Sequence, residues 1–121
     1  MKRELRIELQ LMDPPVAVVT VGGAVDSANA EALDRHIDQA VDQGFDHLVM
    51  NFKELDFMST AGWSVLVGKL RRIRARKGAL HLCSLSSDVA EVYRLLEFEP
   101  LMPVHATLDE ALSAVRAELV R

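Results

Sequence analysis

Two adjacent hydroxyls, Ser59 and Thr60, stand in the stretch DFMSTAGW (residues 56–63), between a strand-like apolar run and a helix-like one. A serine or threonine at a helix start accepts a hydrogen bond from a free backbone N–H, and one such cap contributes about 1 kcal/mol. That accounts for one hydroxyl. The second is left at the positive end of a helix, where free N–H groups and aligned peptide dipoles favour an anion such as a phosphoryl group. The order strand, hydroxyl, helix also admits a small hydrolase or ligand-binding α/β enzyme using Ser59. The sharp Gly-x-Ser-x-Gly elbow that exposes such a nucleophile is missing, however. Four histidines (His36, His47, His81 and His105) and one cysteine, Cys83, are the remaining reactive candidates. No two histidines have the close helical spacing of a zinc-binding pair. His81 and Cys83 can share one face of a strand, and Asp109 follows His105 by four residues, but two donors apiece fall short of a metal site. VGGAVD (residues 21–26) has two glycines and no phosphate-cradling Gly-x-Gly-x-x-Gly. No metal or cofactor is expected.

The elements that must carry these residues follow from periodicity. Leu5, Ile7, Leu9 and Leu11 alternate with polar neighbours, the period of a half-buried strand, and Pro14-Pro15 turns the chain. The β-branched run from Val16 to Val21 reads as a strand covered on both faces, hairpinned to the first. Gly22-Gly23 is expected to break it, with Asp26 or Ser27 capping a helix. In that helix Leu33, Ile37 and Val41 share one face, with Asp34, Asp38 and Asp42 beside them facing out, and Gly44 ends it. Phe45–Phe52 is the third strand and 53–60 a loop. The second helix carries Trp63, Leu66, Val67, Leu70 and Ile73 at core spacing and stops at Gly78. ALHLCSL (79–85) is a fourth strand, and Asp88 with Glu91 starts a third helix. PLMPVH (100–105) is a short strand that Pro103 confines to an edge. Thr107 and Glu110 make a capping box for a last helix through Leu112, Val115 and Leu119. Helix–strand alternation of this kind implies an α/β class: one domain over residues 1–121, with a mixed, mostly parallel sheet of about five strands and about four helices packed on it.

Composition narrows the partners. Half of the 121 residues are hydrophobic and 26% are charged, enough for a packed core without disulfides. A net charge of −4 argues against nucleic acid, which needs clustered, uncompensated cations. The run Lys69, Arg71, Arg72, Arg74, Arg76 and Lys77 reads as a solvated face near the negative end of the second helix. No apolar stretch approaches the roughly 20 residues that span a bilayer, and the charged start MKRELRIELQ is unlike a signal peptide. A cytoplasmic protein with no membrane partner is the expectation, and the lone Cys83 is read as a buried thiol.

The stretch from LVMNF (48–52) through DFMSTAGW to LLEF (95–98) strongly resembles the STAS domain family, the anti-sigma-factor antagonists. Their pattern is an apolar strand ending in Asn or Asp, a short loop, an Asp-Ser-Ser-Gly-like motif and an apolar helix. The GGAVD loop, the element order and the final helix match as well, so the resemblance covers nearly the whole chain. It implies a partner-switching regulator that binds a serine/threonine-protein kinase, itself the anti-sigma factor, and is switched off when that kinase phosphorylates the hydroxyl two residues before the motif glycine. That hydroxyl is Thr60, with Gly62 as the glycine and Ser59 as the alternative acceptor. Ser59 stands where the family has Asp, and Ala61 where it has the second Ser. The resemblance further implies that Asp26 and Asn51 flank the site, in a partner-facing set with Ser59, Thr60, Ala61, Gly62 and Trp63. It leaves room for a serine phosphatase as a second partner. No base is evident beside Thr60, so the protein would be a substrate and not an enzyme.

Overall fold

A computed structural model describes residues 3–120. Its strands are β1 (Arg6–Leu11), β2 (Val16–Val25), β3 (His47–Asn51), β4 (Leu55–Met58), β5 (Ala79–Cys83) and β6 (Val104–His105). The helices are α1 (Ala30–Asp42), α2 (Thr60–Ala75), α3 (Ser87–Leu95) and α4 (Leu108–Leu119). The sheet runs β1-β2-β3-β5-β6, with β4 paired to β2. Among the described residues β1–β2 is the one antiparallel pair, and the other four pairs are parallel. The α/β class, the leading hairpin and the four helices agree with the sequence reading, and the edge strand after Pro103 is β6.

Strand alternation divides the core between the two faces of the sheet. Ala17, Val19 and Val21 of β2, with Leu48, Met50, Leu80 and Leu82, pack beneath Leu33, Ile37, Leu66 and Ile73 of α1 and α2. Val16, Val18, Val49 and Cys83 point the other way, against Ala111, Leu112 and Val115 of α4. The continuous valine run is therefore apolar because both faces are covered. β1 has one covered face: Ile7 and Leu9 pack on the main core, while Glu8 and Gln10 are exposed.

Three local expectations are corrected. Gly22-Gly23 does not end β2. Gly23 takes φ +84°, and a Cβ there would strike the Glu4 carbonyl; the register against β4 shifts at this residue and the strand continues to Val25. A bulge at glycine, not a break, is the result. The expected loop 53–60 contains β4, a sixth strand against the expected five or so, which extends β2 beyond the end of β3. Neither Asp26 nor Ser27 caps α1 directly. The Asp26 carboxylate accepts from the N–H groups of Ala28 (2.9 Å) and Asn29 (3.1 Å), making a side-chain turn one step ahead of the helix, whose N-cap is Asn29.

The aspartates of α1 also do not simply face out. Lys69 reaches Asp34 and Asp38 at 3.0 Å, and Arg72 pairs with Asp38 and Asp42, so α1 is clasped to the later half of α2. Burial alone would raise the Asp38 carboxyl, but hydrogen bonds from Lys69 and Arg72 outweigh it and hold the group below its ordinary range. Arg76 pairs with Asp46 at 3.6 Å. The basic run is thus partly consumed by the fold, a correction to its reading as a solvated face.

Candidate functional site

β2 and β4 end side by side, and the Ser59 N–H donates to the Val25 carbonyl at 2.9 Å. This bond sets the start of α2 beside the Asp26 turn, at the carboxyl edge of the sheet where loops of this architecture meet ligands and partners. Ser59 is the N-cap. Its backbone is extended, and its Oγ accepts from the Gly62 N–H at 3.4 Å, while its carbonyl receives the Trp63 N–H at 3.1 Å. Thr60 follows as the first helical residue and is exposed. The two hydroxyls therefore have different positions: Ser59 holds the helix end, and Thr60 stands on the surface at its positive mouth.

Gly62 is buried where the first turn of α2 lies against β2 and β4. A Cβ there would meet Val25 Cγ1 at 2.8 Å and would collide with Met58 Sδ. The motif glycine is thus a packing requirement that lets the helix start close against β2 and β4. Ala61 is half-buried and packs on the main core.

Two residues of the partner-facing set are placed differently from expectation. Asn51 pairs with Thr20, whereas Met58 pairs with Val25 five residues further along β2, on the order of 15 Å at about 3.3 Å per residue. Asn51 is moreover engaged locally: its Oδ1 accepts from the Lys53 N–H at 3.2 Å and lies 3.7 Å from Cys83 Sγ. It belongs to the shorter β3–β5 edge and does not flank Thr60, because β4 carries the chain onward between them. Trp63 is 2% exposed, with its ring 5.3 Å from Phe98 and 6.2 Å from Tyr93. Core packing, the spacing's first reading, holds its ring, and little of it is left to face a partner. Its indole N–H is buried and finds no acceptor among the described residues, which costs about 1–3 kcal/mol.

A hollow of about 430 Å³ opens beside Thr60, lined also by Trp63, Ser64, Val67, Gly68, Arg71, Leu96 and Phe98. Sequence reasoning missed it, because its walls come from α2 and from a segment some 30 residues away. Leu95 and Leu96, left exposed on the neighbouring helix end, were the available signal.

The other reactive residues lie elsewhere. His36 bonds its own helix through the Ala32 carbonyl, and His47 Nδ1 sits 2.9 Å from Asp46 at the opposite edge of the sheet. His81 Nδ1 is 2.9 Å from His105 Nε2, and its Nε2 is 3.1 Å from Glu118 on α4. The neighbours His81 and Cys83 do share the α4 face, as alternation suggests, but the ligand geometry does not follow: among the described residues no group of three donors could hold a metal. Cys83 is buried, and that burial pushes its thiol up. Among the described residues no histidine or carboxylate bonds either hydroxyl of the Ser59-Thr60 pair, so Ser59 has no base to make it a nucleophile. Among the described residues no helix is long and apolar enough to cross a membrane.

The sequence model of the STAS domain matches residues 10–111. BtrV of Bordetella bronchiseptica is 33% identical over 104 residues, covering 86% of this chain and 90% of BtrV. RsfA of Mycobacterium tuberculosis, an anti-sigma-F factor antagonist, is 30% identical over 112 residues, covering 91% and 87%. The anti-sigma factor antagonist SpoIIAA in its unphosphorylated form superposes with a TM-score of 0.81 at 26% identity, covering 93% of this chain and 97% of SpoIIAA. The Bacillus cell fate determinant SpoIIAA in its phosphorylated form gives 0.73 at the same identity, covering 92% and 100%.

Proposed function

The chain belongs to the STAS domain family, and from that premise we propose that it is an anti-sigma-factor antagonist whose docking to its partner is controlled by phosphorylation of Thr60. The partner is a serine/threonine-protein kinase that is itself the anti-sigma factor. In the transfer, Thr60 Oγ1 bonds to the γ-phosphorus of ATP, the bond to the bridging oxygen breaks, and ADP leaves. The hydroxyl proton passes to a base of the kinase. A serine phosphatase would reset the switch by hydrolysing the ester. The protein itself is a non-enzymatic substrate acting in the cytoplasm.

The observation that carries this reading is the division of labour between the hydroxyls. Ser59 is committed as the cap, and Thr60 is exposed at the head of a 16-residue helix beside the Asp26 turn. A phosphoryl group adds about −1.5 to −2 charge at pH 7. At a helix start the dipole favours that charge by about 0.3–1 kcal/mol, so the fold is left intact. Against a docked surface the sign reverses. A hundredfold loss of affinity needs only about 2.7 kcal/mol, and burying an unpaired dianion costs more than that. The Ser59 hydrolase reading gains no support from the site, since Ser59 has no neighbouring base.

Incubation with ATP and the kinase tests the proposal. A single phosphoryl mass shift is expected, retained in Ser59→Ala and abolished in Thr60→Ala. Thr60→Ala should hold the kinase in a pull-down and Thr60→Glu should weaken it. Equal recovery with both variants would remove Thr60 from the mechanism.

A further inference from the structure

We propose that the face of α2 running from Thr60 to Arg74 is a docking groove for an acidic amphipathic segment of the partner, an apolar anchor seated beside Trp63 and carboxylates on Arg71 and Arg74. The inference rests on the reading of Thr60 as the switch, whose surface it extends, but it makes separate demands on the molecule.

The hollow beside Thr60 shares Val67 and Arg71 with a second depression of about 230 Å³ that continues to Arg74 and Leu101. Together they form one trough about 20 Å long, at about 1.5 Å rise per helical residue. Its floor is apolar, and Gly68 widens it: a Cβ at that position would meet nothing within 4 Å. Leu96, 47% exposed, lines the trough from the end of α3, and its chain neighbour Leu95 is 74% exposed. Clustered aliphatic exposure beside a groove marks an interaction surface.

Charge selects the occupant. On the same helix Lys69, Arg72 and Arg76 each have an aspartate partner. Arg71 has no carboxylate partner among the described residues, and Arg74 donates only to the Leu101 carbonyl, at 3.2 Å. These two are the arginines that line the trough. Glu99 lines a different hollow, with Arg94 and Tyr93. The trough is therefore apolar at the Thr60 end and cationic at the other, complementary to a segment with a leucine-type face followed by Glu or Asp. Helix-in-groove recognition uses this pairing of anchors and flanking charge. A phosphoryl group on Thr60 would place its charge at the apolar end, where such a segment has none to answer it.

The test uses two dansyl-labelled 16-residue amphipathic peptides that share one leucine face and differ in carrying Glu or Lys over the last two turns. Trp63, the one tryptophan of the chain, serves as energy donor. The Glu peptide is expected to bind at least tenfold more tightly than the Lys peptide, with affinity falling as salt rises. Gly68→Leu, which fills the trough while improving helix propensity, and the pair Arg71→Glu/Arg74→Glu should each weaken it tenfold or more. Circular dichroism would verify that these variants stay folded. Peptide binding is read on the unphosphorylated chain, without ATP or kinase. A kinase assay that failed to modify Thr60 would then overturn the switch alone. Equal binding of both peptides, no binding of either, or binding unaffected by Gly68→Leu would overturn the groove. So would a dimer in sedimentation that Gly68→Leu dissociates, which would make the occupant a second copy of the chain.

Discussion

The same substitution at two glycines of α2 should have opposite effects. At Gly68 an added methyl meets no atom within 4 Å, so Gly68→Ala gains only helix propensity, about 0.5–1 kcal/mol. At Gly62 the methyl would lie 2.8 Å from Val25 Cγ1 and 3.1 Å from Met58 Cγ, with Met58 Sδ closer still. Met58 can rotate its end, but it is itself buried, and Val25 is a β-branched residue fixed in β2. Overpacking of this kind costs about 1–3 kcal/mol, and the propensity gain is reduced in the first turn. Gly62→Ala should therefore lose about 1–2 kcal/mol net. The two variants should differ by about 1.5–3 kcal/mol, which at a urea slope of about 1–3 kcal/mol per molar separates their midpoints by about 0.5–3 M. Urea titration followed by circular dichroism, with slopes held equal, measures it. If Gly62→Ala matched the parent in stability, the helix start would not be wedged against β2, and the geometry that presents Thr60 would be wrong.

Three further outcomes follow from the packing. Asp38→Ala removes the acceptor shared by Lys69 and Arg72, both partly solvated; a loss of about 1 kcal/mol, read as a lower urea midpoint and shrinking at high salt, is expected, and no change would show the clasp to be inert. Burial, then neighbouring His81, hold His105 below its ordinary value of 6.5 against the opposing pull of Glu110 and Glu118. The unfolded chain thus binds the proton first, so stability is fully present above about pH 6.5 and declines as pH falls below it. His105→Asn should flatten that decline below about pH 6.5, and an unaltered slope would refute the assignment. Trp63→Phe keeps a ring against Phe98 while deleting an unpaired buried N–H, so denaturation should show a change of less than about 1.5 kcal/mol, well short of the 3–5 of a Trp→Ala cavity.

Most of the architecture was legible because its signals are local. Valine runs, the glycine stop at Gly44 and the Thr107 cap, which accepts from the Glu110 N–H at 3.1 Å, each act within a few residues. The hydroxyl pair was legible for the same reason, since a cap and its helix are sequence neighbours. β4 was not: four residues with no long alternation become a strand only because β2 outruns β3 and offers an unpaired edge beyond Thr20. Glycine is needed at the Gly23 bulge because the Glu4 carbonyl, from the segment leading into β1, lies where a Cβ would be, a contact from outside the local sequence.

What the amino-acid sequence determined by itself was the class of the fold and the presence of two hydroxyls at the mouth of one helix, because periodicity and capping are short-range properties of a chain. Only the tertiary structure decided their roles. The Val25 carbonyl fixes the Ser59 backbone, so Ser59 caps and Thr60 is turned outward. Asn51 is left a strand-length behind, Trp63 is folded under Phe98, and Lys69 and Arg72 are drawn to aspartates while Arg71 is not. These outcomes depend on which surfaces meet across tens of residues, and pairing of that kind is set by packing in three dimensions, not by the order of neighbours along the chain.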